Sequence, residues 1–414
     1  MSKELSGNTL SYHTANTRHK KDVTRVPGSH SLHVGPSACA RRHAIKGFEA
    51  DDIDNLSFLN LDEADLVSGR YEELIADAVR TLNENLPEKP RIYLIWLKCI
   101  DDLLGTDEDA LYEELVATFP GQKFAICHID PIALGGSVMP GMKMQVAYYS
   151  FLDSGQPRDG GVNLIGSFVP IDPACEMYSI IDSWDMGPIR RLHDCRTYEE
   201  YQAMGRSSLT LVVGFMGELA ARSMQDRLGI PYCLAGPVYD PEAVAESYRE
   251  MAAKAERDLP DLGDELESAH RALLDAAQTV AGRPIVIDSS AVMYPFLLAR
   301  TLVEHGFTVS HIMARRVEDV ELEAKRWLEE EHPEITVFRS FNYQSVIGYD
   351  IEVRSIVVGE ECARMLGLPH HTDIWHDEGF FGFHGIRKLA GEIAAAAKRE
   401  TIWPHLFIPG KEEP

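Results

Sequence analysis

The chain has 414 residues, 45% hydrophobic and 25% charged, the balance of a globular protein of two or three domains at about 150 residues each. Its 40 Lys and Arg against 65 Asp and Glu leave a formal charge of −25. That charge excludes a protein built to coat nucleic acid or anionic membrane, since both need a positive face. No apolar run approaches the ~20 residues of a membrane span. Met1 to Lys21 is polar and lacks the apolar segment of a secretory signal, so the expected location is cytoplasmic.

The first 30 or so residues are rich in Ser, Thr, His and Arg without periodicity, and read as an arm. Short apolar, β-branched runs then predict strands at Arg91–Leu97, Lys123–His128, Val162–Gly166, Leu209–Val213, Pro284–Asp288, Thr308–Met313, Ile335–Phe338 and Ser355–Val358. Apolar recurrence at three to four residues predicts helices at Asp107–Thr118, Gly217–Leu228, Pro241–Ala255, Pro295–His305, Val317–Glu330 and Glu360–Leu366. Strand–helix alternation means parallel sheets with right-handed crossovers, the doubly wound α/β class.

Two breaks divide the chain. Asp153–Gly161 has the composition of a linker, and a long acidic, alanine-rich helical stretch from Glu256 to Gln278 precedes Gly282-Arg283-Pro284. The expected organisation is an arm at 1–30 and three Rossmann-like α/β domains at 31–155, 156–280 and 281–414. Ligands in such sheets gather at the carboxyl ends of strands. The ends to watch are Cys99, Cys127-His128, Gly166-Ser167, Gly214-Phe215 and Ser289-Ser290. The serine pair reads as a helix N-cap or an anion site. No phosphate-binding loop of the G-x-x-x-x-G-K-[ST] type is present.

The seven cysteines are scattered, with no C-x-x-C pair, so zinc-ribbon and thioredoxin readings lack support. Reduced thiols of this kind are either buried small apolar residues or metal ligands. Two stand in distinctive settings. Cys39 closes Gly35-Pro36-Ser37-Ala38-Cys39, a tight turn with small neighbours. Cys99 follows a strand and opens Cys99-Ile100-Asp101-Asp102-Leu103-Leu104-Gly105-Thr106-Asp107. Soft thiolates there suit iron–sulfur or zinc. Asp101, Asp102 and Asp107 read as caps of the following helix.

At this point the sequence resembles the nitrogenase component 1 superfamily. Gly-Pro-x-x-Cys is similar to the family's His-Gly-Pro-x-Gly-Cys motif. Cys99 with Leu104-Gly105-Thr106-Asp107 is similar to its cysteine followed by Ile-Gly-Asp-Asp. Phe124–His128 leading to Pro131 and Gly135-Gly136, Val162–Gly166, Leu228-Gly229-Ile230-Pro231, Gly282–Phe307 and Gly382-Phe383-His384-Gly385 resemble later family segments in the same order. The resemblance spans about residues 30 to 410. It implies three α/β domains per subunit and a homodimer or a heteromer with another component 1 subunit. It further implies an interface iron–sulfur cluster held by cysteines of facing subunits. Electrons would come from a separate ATP-hydrolysing iron protein. On this resemblance Cys39 and Cys99 are cluster ligands; Cys127, from its place at a strand end, is a third candidate, as a metal ligand or an acid–base group.

Two departures narrow the expectation. The family's further cysteine, about two dozen residues before the Gly-Pro cysteine, is missing, and counting back lands near His13. Two cysteines per subunit supply four across a two-fold interface, enough for one [4Fe–4S] cluster. The stretch Val212-Val213-Gly214-Phe215 has no thiol where nitrogenase holds its iron–molybdenum cofactor. Histidines at 370, 371, 376 and 384 cluster with Trp375 and Phe380-Phe381, either as packing or as a cofactor or substrate wall. His370, His371 and His384 are the cofactor-binding candidates, for a second metallocofactor or a tetrapyrrole. The resemblance then implies a reductase of a tetrapyrrole, a thioether or a similar substrate. The alternatives are a metallocluster-assembly scaffold and an electron-relay subunit.

Overall fold

A computed structural model describes residues 25–39, 44, 53–98, 100–101, 105–129, 138, 140–167, 169–288, 290–314, 317–339, 351–377 and 379–402. They form three four-stranded parallel sheets with helices between the strands. This is the doubly wound α/β plan that strand–helix alternation predicts. The chain divides into two compact units. One comprises Met1–Phe168, Gly187–Val212 and Met216–Tyr232; the other comprises Val169–Met186, Val213–Phe215 and Cys233–Pro414. Among the described residues no helix is long and apolar enough to cross a membrane.

The first sheet is built from β1 (Ser29–Gly35), β2 (Leu56–Asn60), β3 (Ile92–Lys98) and β4 (Lys123–Ile129), in the order β2-β1-β3-β4. Its helices are α1 (Glu63–Ser68), α2 (Tyr71–Asn85), α3 (Glu108–Thr118) and α4 (Pro140–Tyr149). Successive residues of a strand face opposite sides, and β3 is buried on both. Tyr93, Ile95 and Leu97 pack with Ile75 and Val79 of α2. Ile92, Leu94 and Trp96 pack with Tyr148 and Tyr149 of α4.

Sequence patterning predicts β3 and β4 but not β1, the strand between β2 and β3. Its Ser-His-Ser-Leu-His-Val-Gly starts inside the arm expected to end at residue 30, and its polar residues hide the strand. In the fold both of its histidines are buried against partners. His30 Nε2 lies 2.8 Å from Ser57 Oγ, and the His33 ring stacks on Phe58 and Trp96. The helix after Cys99 corrects part of the capping expectation. Asp107 does cap α3, accepting from Ala110 N at 3.0 Å. Asp101 is instead buried and accepts from Tyr71 Oη at 2.7 Å and from Thr106 Oγ1. Asp102 lies outside the described residues.

The second sheet contains β5 (Val162–Ile165), β6 (Ile189–Arg190), β7 (Leu209–Val212) and β8 (Tyr232–Leu234), in the order β6-β5-β7-β8. Between them run α5 (Glu176–Ser183), α6 (Tyr198–Ala203) and α7 (Glu218–Leu228). The turn after β7 packs close to the turn after β5. A Cβ on Gly217 would stand 2.8 Å from Gly166 Cα, so only glycine fits.

Two long helices, α8 (Pro241–Ala255) and α9 (Gly263–Val280), precede the third sheet. Asp240 caps α8 through Ala243 N at 2.9 Å, with Pro241 in the first turn. The sheet contains β9 (Pro284–Ile287), β10 (Thr308–Ala314), β11 (Thr336–Arg339) and β12 (Ile356–Val358), in the order β11-β10-β9-β12. Its helices are α10 (Pro295–Glu304), α11 (Leu322–Glu331), α12 (Glu361–Leu366) and α13 (Gly382–Ala396). Ser290 caps no helix, since α10 begins at Pro295. Its backbone N–H instead donates to Asp288 Oδ1 at 2.8 Å. Ser289 lies outside the described residues.

Each sheet therefore has a point where the winding reverses: β1/β3, β5/β7 and β9/β12. The crevice beyond the carboxyl ends of such a strand pair is where α/β sheets bind ligands.

Candidate functional site

At the β1/β3 reversal, β1 ends at Gly35 and β3 at Lys98. The strands run parallel, with His33 opposite Trp96. Gly35 has φ +143, and a Cβ there would come 2.8 Å from Lys98 Cγ, so glycine permits the close approach. Lys98 is buried, with Nζ 3.1 Å from His33 Nδ1. After Gly35 the chain turns at Pro36, whose carbonyl accepts from Cys39 N at 2.9 Å. Cys39 is exposed. Cys99, next in sequence after Lys98, lies outside the described residues, as does His13.

Cys127 differs in kind. It sits on β4 opposite Trp96, buried among Ile92, Leu94, Trp96 and Tyr148. Burial, and then the Glu108 carboxylate, push its thiol up to about 12. Metals bind the thiolate, the form these surroundings disfavour. Its surroundings fit packing. Among the described residues no group of three His, Cys, Asp or Glu side chains is placed to hold a metal ion.

The candidate histidines sit at two places in the second compact unit. His370 Nδ1 is 2.5 Å from the Arg399 carbonyl. His371 is buried, with Nδ1 3.1 Å from the Thr372 carbonyl and Nε2 2.9 Å from Thr401 Oγ1. Both rings tie residues 370–372 to the segment that follows α13. His384 is in the first turn of α13, its Nε2 3.3 Å from Asp172 Oδ2. The Ala174 N–H, and then His384, hold the Asp172 carboxyl below its usual value.

The Gly-Phe-His-Gly motif has a physical reason here. Glu176 is buried and its carboxylate accepts from Phe383 N at 2.6 Å, His384 N at 3.1 Å and Tyr248 Oη at 2.7 Å. A carboxylate at a helix N-terminus satisfies donors that have no partner within the helix. Gly382 has φ +62, and a Cβ there would collide with the Glu176 carboxylate and the Tyr248 hydroxyl.

Sequence reasoning missed one further group, beside the β9/β12 reversal. His376 N donates to the Ser290 carbonyl at 2.9 Å and Asp377 N to the Ala291 carbonyl at 2.8 Å, which lays this loop along the segment following β9. Both residues have left-handed backbone, with φ 50 and 56. Asp377 Oδ2 accepts from Tyr239 Oη at 2.8 Å and from Met293 N at 2.7 Å. Burial pushes its carboxyl up to about 7, against the pull of those two donors. Asp377 and Tyr239 line a crevice whose walls include Val238, Val292, Phe380 and Phe381. The sequence signal was weak: an acidic residue set between Trp375-His376 and an apolar Gly-Phe-Phe-Gly run.

Comparison with known proteins decides the family. The family model of nitrogenase component 1 type oxidoreductases matches residues 23–398. The chain belongs to that family. No curated protein matches it in sequence. Among solved structures it is similar to one described as "Nitrogenase Cp1 at pH 6.5", with a TM-score of 0.65 and 16% identity, over 90% of this chain and 89% of that one. It is also similar to "Nitrogenase Cp1 at pH 5", with a TM-score of 0.58 and 13% identity, over 90% and 85% of the two chains. At these identities the structures establish the fold.

Nitrogenase component 1 proteins are oxidoreductases that bind metal–sulfur clusters and work in oligomers with an iron-protein partner. At the β1/β3 edge of this member the residues available for such a group are Cys39 and, outside the described residues, Cys99. The described cysteine is an exposed thiol on a turn pinned by Pro36, beside the strand that leads into Cys99.

Proposed function

We propose that this chain is a reductase subunit that binds an iron–sulfur cluster through Cys39 and Cys99. The cluster is a [4Fe–4S] centre completed by the same two cysteines of a second subunit, either a copy of this chain or a related component 1 chain. It receives electrons from an ATP-hydrolysing iron protein. The substrate is a tetrapyrrole, a thioether or a similar unsaturated or reducible molecule. The three sheets would be the cores of three domains.

The observation that carries this reading is the exposed Cys39 thiol at the carboxyl edge of β1, with Cys99 next in sequence after the adjacent parallel strand. Thiolates are the ligands iron–sulfur clusters use. A short turn fixed by Pro36 has little freedom left to lose on binding. Cys127, His370, His371 and His384 have packing partners that account for their placement, which supports the pair 39/99 as the ligands.

The test is anaerobic reconstitution of the full chain with iron and sulfide. Wild type should take up both and gain a cluster absorbance band. Cys39→Ala and Cys99→Ala should each lose the band while keeping their α/β circular dichroism. Full iron and sulfide in either variant would overturn the ligand assignment.

A further inference from the structure

The crevice at the β9/β12 reversal holds a carboxyl group whose two oxygens are in different situations. Oδ2 accepts two hydrogen bonds, from Tyr239 Oη and Met293 N. A carboxyl oxygen has two lone pairs, so Oδ2 is filled. Oδ1 accepts no hydrogen bond among the described residues, and Asp377 lines the crevice. When the group is protonated the proton therefore sits on Oδ1.

The mount is rigid. Two consecutive non-glycine residues in left-handed backbone are held by hydrogen bonds to Ser290 and Ala291. Such backbone costs about 1–3 kcal/mol per residue and persists where the surroundings over-determine it, often at functional sites. The Tyr239 hydroxyl is also fixed, since it donates to Asp377 and accepts from Tyr294 N at 3.3 Å. Tyr239 is the other titratable group of the crevice lining. On α13, Lys388 Nζ lies 5.1 Å from the Phe380 ring centre, and Arg387 pairs with Glu265. The enclosed space is about 20 Å³, enough for a single water.

We propose that Asp377 is the proton donor of the reduction, passing the Oδ1 proton through a crevice water to an unsaturated substrate bond at the crevice mouth. This rests on the reductase reading above and deepens it. For a double bond A=B the change is A=B + 2e⁻ + 2H⁺ → HA–BH. The electrons come from the low-potential one-electron donor that serves the iron–sulfur cluster. One proton is the Asp377 Oδ1 proton, whose O–H bond breaks as the crevice water hands its own proton to A. The other proton comes from solvent water. The Asp377 carboxylate left behind, held by Tyr239 and Met293 N, takes a proton back from solvent. The apolar walls leave room for little more than the relay water. A carboxyl that titrates near neutral pH suits this work, since an acid is most effective when its pKa lies near the working pH.

The test has two arms. The first is infrared titration of the full chain, with no electron donor. The wild-type minus Asp377→Asn difference should show a protonated carboxylic C=O band that fades as pH rises through about 7, the bands of Asp288 and Glu321 cancelling because both proteins carry them. Tyr239→Phe removes a donor that favours the carboxylate, so its band should fade at higher pH. A band absent at pH 6, or unchanged by Asp377→Asn, overturns the proposal. The second arm uses cluster-loaded protein reduced by a chemical one-electron donor, with azobenzene as the probe. Asp377→Asn should slow N=N reduction by roughly 100-fold or more while cluster reduction, read optically, stays at the wild-type rate. Tyr239→Phe should move the pH limb of the rate upward, which a merely structural residue would not do. An Asp377→Asn protein as fast as wild type overturns the role of Asp377 alone. A wild-type protein that takes up electrons but reduces no azobenzene counts against the reductase reading as well as the donor role, even with the infrared band in place.

Discussion

The β1/β3 and β9/β12 reversals occupy equivalent places in their sheets and present opposite chemistry. At the first, a thiol is exposed on a short turn, and its neighbours are small. At the second, a carboxyl is held by a tyrosine, a backbone amide and two left-handed residues among aromatic and aliphatic walls. The first can change its side chain with little effect on the described packing, because Cys39 is exposed. The second is over-determined, and a change there disturbs the packing around it. One sheet plan can thus offer an open soft ligand at one edge and a confined acid at another.

The largest expected effect breaks the second region. Gly382 has both a left-handed backbone and no room for a Cβ beside Glu176 and Tyr248. Gly382→Ala should destabilise the fold by about 3 kcal/mol or more, read as a lower urea midpoint. A midpoint equal to that of wild type would show that the α13 N-terminus is far softer than its contacts indicate. By contrast Cys39→Ala should leave the midpoint nearly unchanged.

A smaller effect sharpens the description of Asp377. Its carboxyl is raised to about 7 in the fold, above the unfolded value near 3.9. The folded state therefore holds more protons in that window. The stability this group contributes is full below the unfolded pKa and is lost as pH rises through about 7. Relative to Asp377→Asn, wild type should lose up to roughly 4 kcal/mol between pH 4 and pH 8. Asp288 and Glu321, raised by burial to about 6 and about 7, bend the wild-type curve the same way. The Asn variant keeps both, so the difference isolates Asp377. Parallel curves for the two proteins would contradict the assignment.

The smallest effect concerns Cys127. Cys127→Ala removes a buried sulfur and should cost about 1 kcal/mol, with iron uptake unchanged. A loss of iron there would make Cys127 a ligand after all and erase the contrast between open and packed thiols.

The sequence made eight of the twelve described strands legible through their apolar, β-branched runs, and missed β1, β2, β6 and β8. It hid β1, whose buried histidines and serines look like a solvated arm until Ser57, Phe58 and Trp96 supply their partners. Short strands such as β6 and β8 carry too few residues for a pattern. Cys39 and Cys99 stood out as candidates through their likeness to family motifs; Cys39 is exposed, as a shared ligand would be, and Cys99 lies outside the described residues. Asp377 did not stand out, since an aspartate near a Gly-Phe-Phe-Gly run reads as a surface residue. Its environment is set by Tyr239 and Met293, far away in sequence. The Gly382 motif was visible, but its reason, the Glu176 carboxylate, appears only in three dimensions.

The central claim is a cluster shared between two subunits through Cys39 and Cys99. Native mass spectrometry of the anaerobically reconstituted full chain tests it most directly. The account predicts a dimer carrying one [4Fe–4S] cluster, about two irons per chain, and a cluster-free mass for Cys39→Ala. A monomer carrying four irons, or a Cys39→Ala protein with the same cluster mass as wild type, would contradict it.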